Sequence, residues 1–368
     1  MRTTQILMND FRRIPEDMRA QLEEAAKKVI CSGWYVLGEE LSAFEKAWAT
    51  YCGVKRAIGV ANGLDAIEIG LRVLGIGPGD EVVTTPMTAF ASILGIVRAG
   101  AKPVLADIDP MTGLLDPTSV ERCIGARTRA VLLVHLYGQI RAMNEWEKLC
   151  ARHNLLLLED AAQAHGAEWH GRRAGAFGQW AAYSFYPTKN LGCLGDGGAL
   201  CTNDGALGSL TAQFRNYGQS ERYHHPILGL NSRLDEIQAA FLQTMLKHLP
   251  ATTARRRQTA ARYHANLRSS RVTLLAPPET TLSHAYHLFV VCAEERTALQ
   301  SHLASRKIQS LIHYPICAHH QPPTTELRRD PRGLVSAERF ASQCLSIPCH
   351  PYLTDSEVEV VIEAINAF

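Results

Sequence analysis

The sequence has no long apolar run and no excess of charge of either sign. Its 368 residues contain no stretch that approaches the ~20 apolar residues needed by a membrane-spanning helix. The formal net charge is +2, whereas nucleic acids and anionic membranes require concentrated basic charge. We interpret the arginine triplet at 255–257 as the solvated face of a helix. These absences predict a protein that binds neither membranes nor nucleic acids.

Cysteine and histidine patterns that would indicate a bound metal or a disulfide framework are also missing. The ten cysteines form no CxxC pair, and the N-terminal segment MRTTQILMNDFRR lacks the apolar core of a secretory signal. We therefore expect reduced, mostly buried thiols in a cytoplasmic protein. Histidine pairs occur at 224–225 and 319–320, but without HExxH or Cys/His ligand spacing, so no metal site is predicted. The segment GIGPGD (75–80) precedes a strand instead of following one, which argues against a dinucleotide site.

Short apolar runs alternate with amphipathic stretches from about residue 54 to 205. Runs such as LLLLED, apolar on both faces and separated by helices, predict a parallel sheet covered on both sides. After about residue 232 the pattern changes. A capping box from Ser232 to Asp235 predicts a long helix, interrupted at Pro250, and a last helix is predicted from Thr354. We therefore predict a large domain over 1–245 and a smaller α/β domain over 246–368.

Polar residues follow two of the predicted strands. Asp160 ends LLLLED, where ligands bind in open α/β sheets, although capping of a following helix is an alternative role. Lys189 lies four residues past the strand 181–185 and precedes glycines that allow backbone to approach a bound group. The segment ANG (61–63) opens a helix whose free amides suit a phosphate. A lysine, a carboxylate and a phosphate seat with Ser184 together predict pyridoxal 5′-phosphate (PLP).

Motifs in a fixed order extend over nearly the whole chain. They are SGWYVLGEELSAFEKAWATYCGV (32–54), ANGLDA (61–66), TPMTAFAS (85–92), EDAAQAHGA (159–167), SFYPTKNLGCLGDGGAL (184–200), FRNYG (214–218), GLNSRLDEIQAA (229–240), HYP (313–315) and LSIPCHPYLTDSEV (345–358). In these motifs the sequence resembles the DegT/DnrJ/EryC1/StrS family of PLP-dependent nucleotide-sugar aminotransferases. The resemblance implies fold type I, like aspartate aminotransferase: a mostly parallel seven-stranded sheet in the large domain, a smaller C-terminal α/β domain, and a homodimer with shared active sites.

The resemblance implies a role for each of ten residues. Lys189 is the catalytic lysine, and its burial beside the cationic cofactor ring should lower its pKa toward neutrality. The other implied residues are Asp160 at the ring nitrogen, Gln163 at the phenolic oxygen, Thr88 at the cofactor, Gly63, Leu64 and Ser184 at the phosphate, Asn231 at the phosphate of the neighbouring subunit, and Tyr186 and His313 at the sugar.

The sequence departs from the family pattern at two positions. Leu64 stands where the family often has threonine, and Ala89 where an aromatic residue usually stacks on the cofactor. Either Phe90 takes the stacking role or stacking is lost. Lys189 argues against the dehydratase branch, which has histidine at this position. Gln163 favours enzymes of 3-keto sugars over those of 4-keto sugars.

The activity implied by the resemblance is transfer of the amino group of L-glutamate to a nucleotide-linked keto-sugar, with 2-oxoglutarate as co-product. A dTDP-3-keto-6-deoxyhexose is the favoured substrate, and its amino sugar would enter lipopolysaccharide, other glycans or antibiotics. A 4-keto sugar or a keto-inositol is the alternative substrate. A non-catalytic regulatory relative is the alternative outside enzymes, and it would be expected to have lost residues such as Lys189 and Asp160.

Overall fold

A computed structural model describes residues 5–368. Residues 1–4, with which the predicted first domain and the N-terminal segment begin, lie outside this range. The described chain forms twelve β-strands: β1 (Arg56–Val60), β2 (Glu81–Thr84), β3 (Lys102–Leu105), β4 (Thr128–Val134), β5 (Leu156–Asp160), β6 (Glu168–Trp169), β7 (Arg172–Arg173), β8 (Ala181–Ser184), β9 (Gly198–Thr202), β10 (Thr273–Leu274), β11 (Phe289–Cys292) and β12 (Cys344–Ile347).

Helices cover and connect these strands. Over the same range the chain forms eleven α-helices: α1 (Glu16–Ser32), α2 (Glu39–Cys52), α3 (Gly63–Val73), α4 (Phe90–Arg98), α5 (Pro117–Cys123), α6 (Met143–Arg152), α7 (Gly205–Phe214), α8 (Glu236–Asn266), α9 (Arg296–Ser305), α10 (Val335–Gln343) and α11 (Asp355–Asn366). No helix among the described residues has the length and apolar character required to cross a membrane.

The main sheet has seven strands in the order β1-β9-β8-β5-β4-β2-β3. The pairs from β8 to β3 are parallel, whereas β9 pairs antiparallel with both β8 and β1. This confirms the predicted α/β class with a mostly parallel sheet. Alternate residues face opposite apolar clusters: Val83 and Val131 pack with Trp48 of α2, and Val82 and Leu132 pack with Ile67 of α3. The sheet is therefore buried on both faces, as its apolar strands predict.

The C-terminal part has a three-stranded antiparallel sheet in the order β10-β11-β12. Helices α9 and α11 pack on this sheet around a separate apolar cluster that includes Val291, Leu303 and Val361. Helix α11 begins after Thr354, whose side chain forms a capping box with Glu357, so the predicted start of the last helix is confirmed. The division at residue 245 stays a prediction, and this position lies inside the continuous helix α8.

Two predictions about α8 are wrong. The helix begins at Glu236 and its N-cap, Asp235, makes no side-chain capping bond. Ser232 is instead buried, and its Oγ accepts a hydrogen bond from the backbone N–H of Ala61 at 3.1 Å, so this hydroxyl anchors the chain beside β1. Pro250 does not interrupt the helix, which continues to Asn266. Packing against α1 and α2 stabilises α8 at the position where proline removes one backbone hydrogen bond.

Candidate active site

A cavity of about 380 Å³ lies at the carboxyl ends of β4, β5 and β8. The loops that follow parallel strands meet at this edge of the sheet, so residues distant in sequence converge there. Eight of the ten predicted residues line the cavity: Gly63, Leu64, Thr88, Asp160, Gln163, Ser184, Tyr186 and Lys189. The fold therefore brings together most of the residues that the resemblance selects, while their individual roles stay predictions.

The carboxylate of Asp160 is held by hydrogen bonds at the end of β5. Ser92 Oγ donates to Asp160 Oδ2 at 2.7 Å, and the N–H of Ala162 donates to Oδ1 at 3.1 Å. Thr88 Oγ1 lies 2.8 Å from Ser92 Oγ and must be the donor of that bond, since the hydroxyl hydrogen of Ser92 points to Asp160. No helix follows Asp160, so the alternative of a helix cap does not apply.

Ser92 was missed by sequence reasoning. It lies one helical turn after Thr88, and this spacing in TPMTAFAS places both hydroxyls on one side of the start of α4. The i, i+4 pair of hydroxyl residues next to a strand end was the available signal.

Glycine at position 63 is required by close packing at the start of α3. A Cβ there would lie 2.8 Å from the Cβ of Ser184, which is closer than real Cβ contacts come. Asn62 caps the helix by accepting from the N–H of Asp65 at 2.8 Å. The first amides of the helix, at Gly63 and Leu64, have no intrahelical acceptors and face the cavity together with Ser184. This arrangement suits a phosphate, and the leucine side chain adds no hydroxyl to it.

Lys189 follows β8 in a turn, with its N–H bonded to the carbonyl of Tyr186 at 2.9 Å. Burial lowers the pKa of Lys189 to about 8, against the attraction of Asp160, which acts to raise it. The lowered pKa agrees in direction with the prediction. Burial by the chain's own residues produces it without the charge of a cofactor ring. A substantial fraction of the amine is therefore neutral and nucleophilic near neutral pH.

Gln163 connects the cavity to the HYP motif. Its Oε1 accepts from the N–H of Tyr137 at 2.6 Å, and its Nε2 donates to the hydroxyl of Tyr314 at 3.2 Å. The hydroxyl of Tyr137 donates in turn to the carbonyl of His313. Burial and the charge of Lys189 lower the pKa of His313 to about 4, so its ring is neutral. His313 therefore lies close to the site without lining the cavity, and sequence reasoning missed both tyrosines.

Ala89 lines the cavity, but Phe90 does not. The ring of Phe90 packs instead against an apolar cluster that contains Met87 and Ile93. Of the two possibilities left open by the sequence, the structure therefore favours loss of stacking over replacement by Phe90.

Asn231 lies outside the cavity of this chain. It is exposed and forms an isolated antiparallel bridge with Asn216. Its role at the phosphate of a neighbouring subunit stays a prediction.

Two predictions about other reactive side chains can be compared with the structure. Nine of the ten cysteines are buried or half-buried, as predicted, and Cys31 is exposed. The pair at 319–320 does come close to a carboxylate: His319, His320 and Glu338 place one ligand atom each within 4.8 Å of one another. Both histidines already contact Glu338, with Nε2 distances of 3.0 and 3.6 Å, and an ion is not needed to explain the cluster.

The interpretation of 255–257 as a solvated triplet is wrong for its central residue. Arg255 and Arg257 are half-buried, whereas Arg256 is only 5% exposed. Its position on α8 turns it inward, because consecutive helical residues point about 100° apart.

The cavity fits PLP. Asp160 offers a carboxylate, fixed by two donors, to a protonated ring nitrogen. The closeness of Gly63 and Ser184 leaves backbone amides and a hydroxyl for a phosphate. Lys189 offers an amine whose pKa is already lowered for reaction with an aldehyde. Each part of the cofactor thus meets a group of matching chemistry.

Two relatives are similar to the chain over nearly its whole length. The dTDP-3-amino-3,4,6-trideoxy-α-D-glucose transaminase of Streptomyces venezuelae is 43% identical over 364 residues, covering 99% of this chain and 96% of the relative. The dTDP-3-amino-3,6-dideoxy-α-D-galactopyranose transaminase of Aneurinibacillus thermoaerophilus is 43% identical over 359 residues, covering 98% of each.

A solved structure and a family model are also similar to the chain over nearly its whole length. The crystal structure of S. venezuelae DesV in complex with a ketimine intermediate superposes with a TM-score of 0.96 at 43% identity, covering 99% of this chain and 98% of that one. The model of the DegT/DnrJ/EryC1/StrS aminotransferase family matches residues 16–366. The chain belongs to the DegT/DnrJ/EryC1/StrS aminotransferase family.

Proposed function

We propose that this enzyme transfers the amino group of L-glutamate to a dTDP-linked 3-keto-6-deoxyhexose and releases 2-oxoglutarate. The observation that carries the proposal is the convergence of Lys189, Asp160 and the Gly63–Ser184 seat on one cavity. Similarity to two dTDP-3-amino-sugar transaminases supports the substrate class. No observation favours the 4-keto or inositol alternatives. The regulatory alternative lacks support because none of the expected catalytic residues is lost.

The cofactor is PLP, which, when bound, supplies an electron sink for carbanions and carries the amino group between the two substrates. Asp160 holds a positive charge at the ring nitrogen, and Ser92 and Ala162 keep its carboxylate fixed. Gly63, Leu64 and Ser184 would bind the phosphate and so anchor one end of the cofactor in the cavity. Gln163 is held by Tyr137 and Tyr314, so the second hydrogen of its amide is free for the phenolic oxygen.

Lys189 moves the proton in both half-reactions. Its Nζ takes the proton from the α-carbon of glutamate and later delivers a proton to the carbon of the sugar that receives the amine. A pKa of about 8 suits both directions, because neither the neutral nor the charged form is scarce near neutral pH.

We further propose that the enzyme is a homodimer with shared active sites in the cytoplasm. Large apolar side chains stay exposed around Asn231 and the start of α8, among them Trp34, Tyr35, Leu194 and Leu228, whose exposed fractions are 63%, 56%, 59% and 94%. The antiparallel bridge between Val36 and Asp235 connects two parts of this surface. Exposed apolar side chains of this size favour burial against another subunit, which would bring Asn231 of one chain to the cavity of the other.

The experiment that tests the proposal is the visible spectrum of the PLP-loaded enzyme. An absorption band near ~420 nm should move to ~330 nm on addition of L-glutamate, and the dTDP-3-keto sugar should reverse the change. A band that glutamate leaves unchanged would contradict the donor. A band that is restored by 4-keto sugars but not by 3-keto sugars would contradict the substrate.

A further inference from the structure

A second cavity, of about 320 Å³, lies beside the cofactor cavity. The N-terminal segment, α1, the loop after β8, α8 and the loop before α11 all contribute residues to it. Among the residues that the structure describes, Lys189 is the one that lines both cavities. A molecule bound in the second cavity would therefore lie next to the catalytic amine.

Arg256 supplies a buried positive charge to this cavity. Its Nη1 lies 3.1 to 3.3 Å from the carbonyls of Tyr286, His287 and Cys349. Within residues 5–368 no carboxylate pairs with the guanidinium, and its Nε and Nη2 have no acceptor. Burial lowers the pKa of Arg256, which reflects the cost of an unpaired charge away from water. An anion that entered the cavity would remove this cost.

His350 adds a second unused donor. Its ring is 2% exposed, and its Nδ1 accepts from the N–H of Tyr352 at 3.3 Å. Burial and the charge of Arg256 lower the pKa of His350 to about 4, so the ring is neutral and its hydrogen resides on Nε2. This Nε2 has no partner among the described residues. Buried donors are nearly always satisfied in proteins, so an unmatched one beside an unpaired arginine indicates an absent acceptor.

The remaining charged side chain in the cavity does not compete for Arg256. Asp10 is already paired with Arg12, with Nε–Oδ1 and Nη2–Oδ2 distances of 2.8 and 2.9 Å. Asn190 also lines the cavity, and its Oδ1 is a buried acceptor without a donor. The cavity thus offers two donor side chains for an anion and one acceptor for an N–H group, and Lys189 lines the same cavity.

We infer that Arg256 and His350 bind a carboxylate of the amino donor in the second cavity. The inference rests on the proposed function, because it names the site of the amino acid in that reaction. A dicarboxylic amino acid has a carboxylate that can pair with Arg256. It also has an ammonium group that can donate a hydrogen bond to Asn190 Oδ1. A cavity of this volume is at the lower end of ligand pockets, ~300–1,000 Å³, and suits an amino acid better than a whole nucleotide sugar.

The test is calorimetric titration of the PLP-loaded enzyme with glutarate, a dicarboxylate without an amino group. Replacing Arg256 with methionine should raise the Kd of glutarate about 10- to 100-fold. The KM for glutamate should rise by the same factor with kcat nearly unchanged, and the KM for the keto-sugar should not change. Unchanged glutarate affinity, or an equal rise in the KM of both substrates, would overturn the inference.

Arg255→Met is the matched control, because Arg255 precedes Arg256 on α8 and pairs with Asp355 outside the cavity. Its glutarate affinity should equal that of the wild type. His350→Phe provides a second test if Arg256→Met does not fold, and its Kd should rise about 3- to 10-fold. An unchanged Kd in His350→Phe would contradict the site.

The two proposals fail in different ways. If the loaded wild type binds glutarate through Arg256 but glutamate leaves its spectrum unchanged, the donor is wrong and the anion site stands. If glutamate converts the cofactor but neither substitution weakens glutarate binding, the function stands and the site is wrong. Failure of the wild type to bind glutarate also overturns the site.

Discussion

The two cavities that share Lys189 are built in different ways. The cofactor cavity consists of residues at strand ends, such as Asp160 after β5 and Ser184 at the end of β8, so the order of strands in the sheet places them. The second cavity consists of residues from an N-terminal segment, one long helix and a loop near the C-terminus, which meet only through packing. Topology thus determines the position of the first cavity, and tertiary packing determines what lies beside it.

Lys189→Ala acts on both cavities, because it removes the residue they share. Turnover should fall about 10³- to 10⁴-fold, since no other described amine lines either cavity to move the proton. Steady-state assay of amino-sugar formation measures the loss. Lys55→Ala, at an exposed position outside both cavities, should have wild-type turnover. Substantial activity in the Lys189 variant would remove the catalytic role assigned to it.

Asp160→Asn separates the cavities. It should lower kcat about 10²- to 10³-fold, because the charge at the ring nitrogen loses its carboxylate partner. Glutarate affinity should not change, since Asp160 does not line the second cavity. Stopped-flow measurement of the glutamate half-reaction and calorimetry together check both expectations. A parallel loss of glutarate binding would show that the two cavities form one site.

The rate of PLP loading should depend on pH through Lys189. Only the neutral amine attacks the aldehyde, and its pKa is lowered to about 8, so the rate should rise about 50-fold from pH 6 to pH 8 and level off above. Asp160 acts to raise this pKa. The midpoint should therefore move to lower pH in Asp160→Asn. The rates are measured from the growth with time of the visible absorption band of PLP bound to Lys189. A midpoint near pH 10 would contradict the effect of burial on the pKa of Lys189.

Gly63→Ala tests the packing of the phosphate seat. The added Cβ would lie 2.8 Å from that of Ser184, so α3 must shift away and the Kd of PLP should rise about tenfold. Fluorescence titration with PLP measures the change. Gly205→Ala is the control, because its Cβ would meet no atom within 4 Å. Equal PLP affinity in the two variants would show that the seat can adjust.

Ala89→Phe should have the smallest effect. An aromatic ring at this cavity-lining position should tighten PLP binding by about 2- to 10-fold, the range expected for ring stacking. Phe90→Leu should leave PLP affinity unchanged, because Phe90 packs in the apolar cluster. If Phe90→Leu weakens PLP binding by a larger factor than Ala89→Phe strengthens it, the stacking role would belong to Phe90.

Most of the sheet and of the cofactor cavity could be predicted from the sequence. Buried strands are apolar on both faces and short, so Asp160 could be placed at the end of one strand and Lys189 shortly after another. Residues whose position depends on packing could not be predicted from the sequence. Pro250 lies in a helix stabilised by its neighbours, and Arg256 is buried because of what packs against α8. Ser92 and Tyr137 act through hydrogen bonds that a linear pattern does not display.

The continuity of α8 limits how the chain can vary in length. Glu236, in the first turn, holds the backbone N–H groups of Gly38, Glu40 and Leu41 with its carboxylate, and Arg256 lies twenty positions further on the same helix. Insertion or deletion of one residue between them would rotate Arg256 by about 100° relative to that clamp and turn its guanidinium away from the cavity. We therefore expect exposed side chains along this helix to tolerate substitution, whereas the number of residues between Glu236 and Arg256 should be fixed.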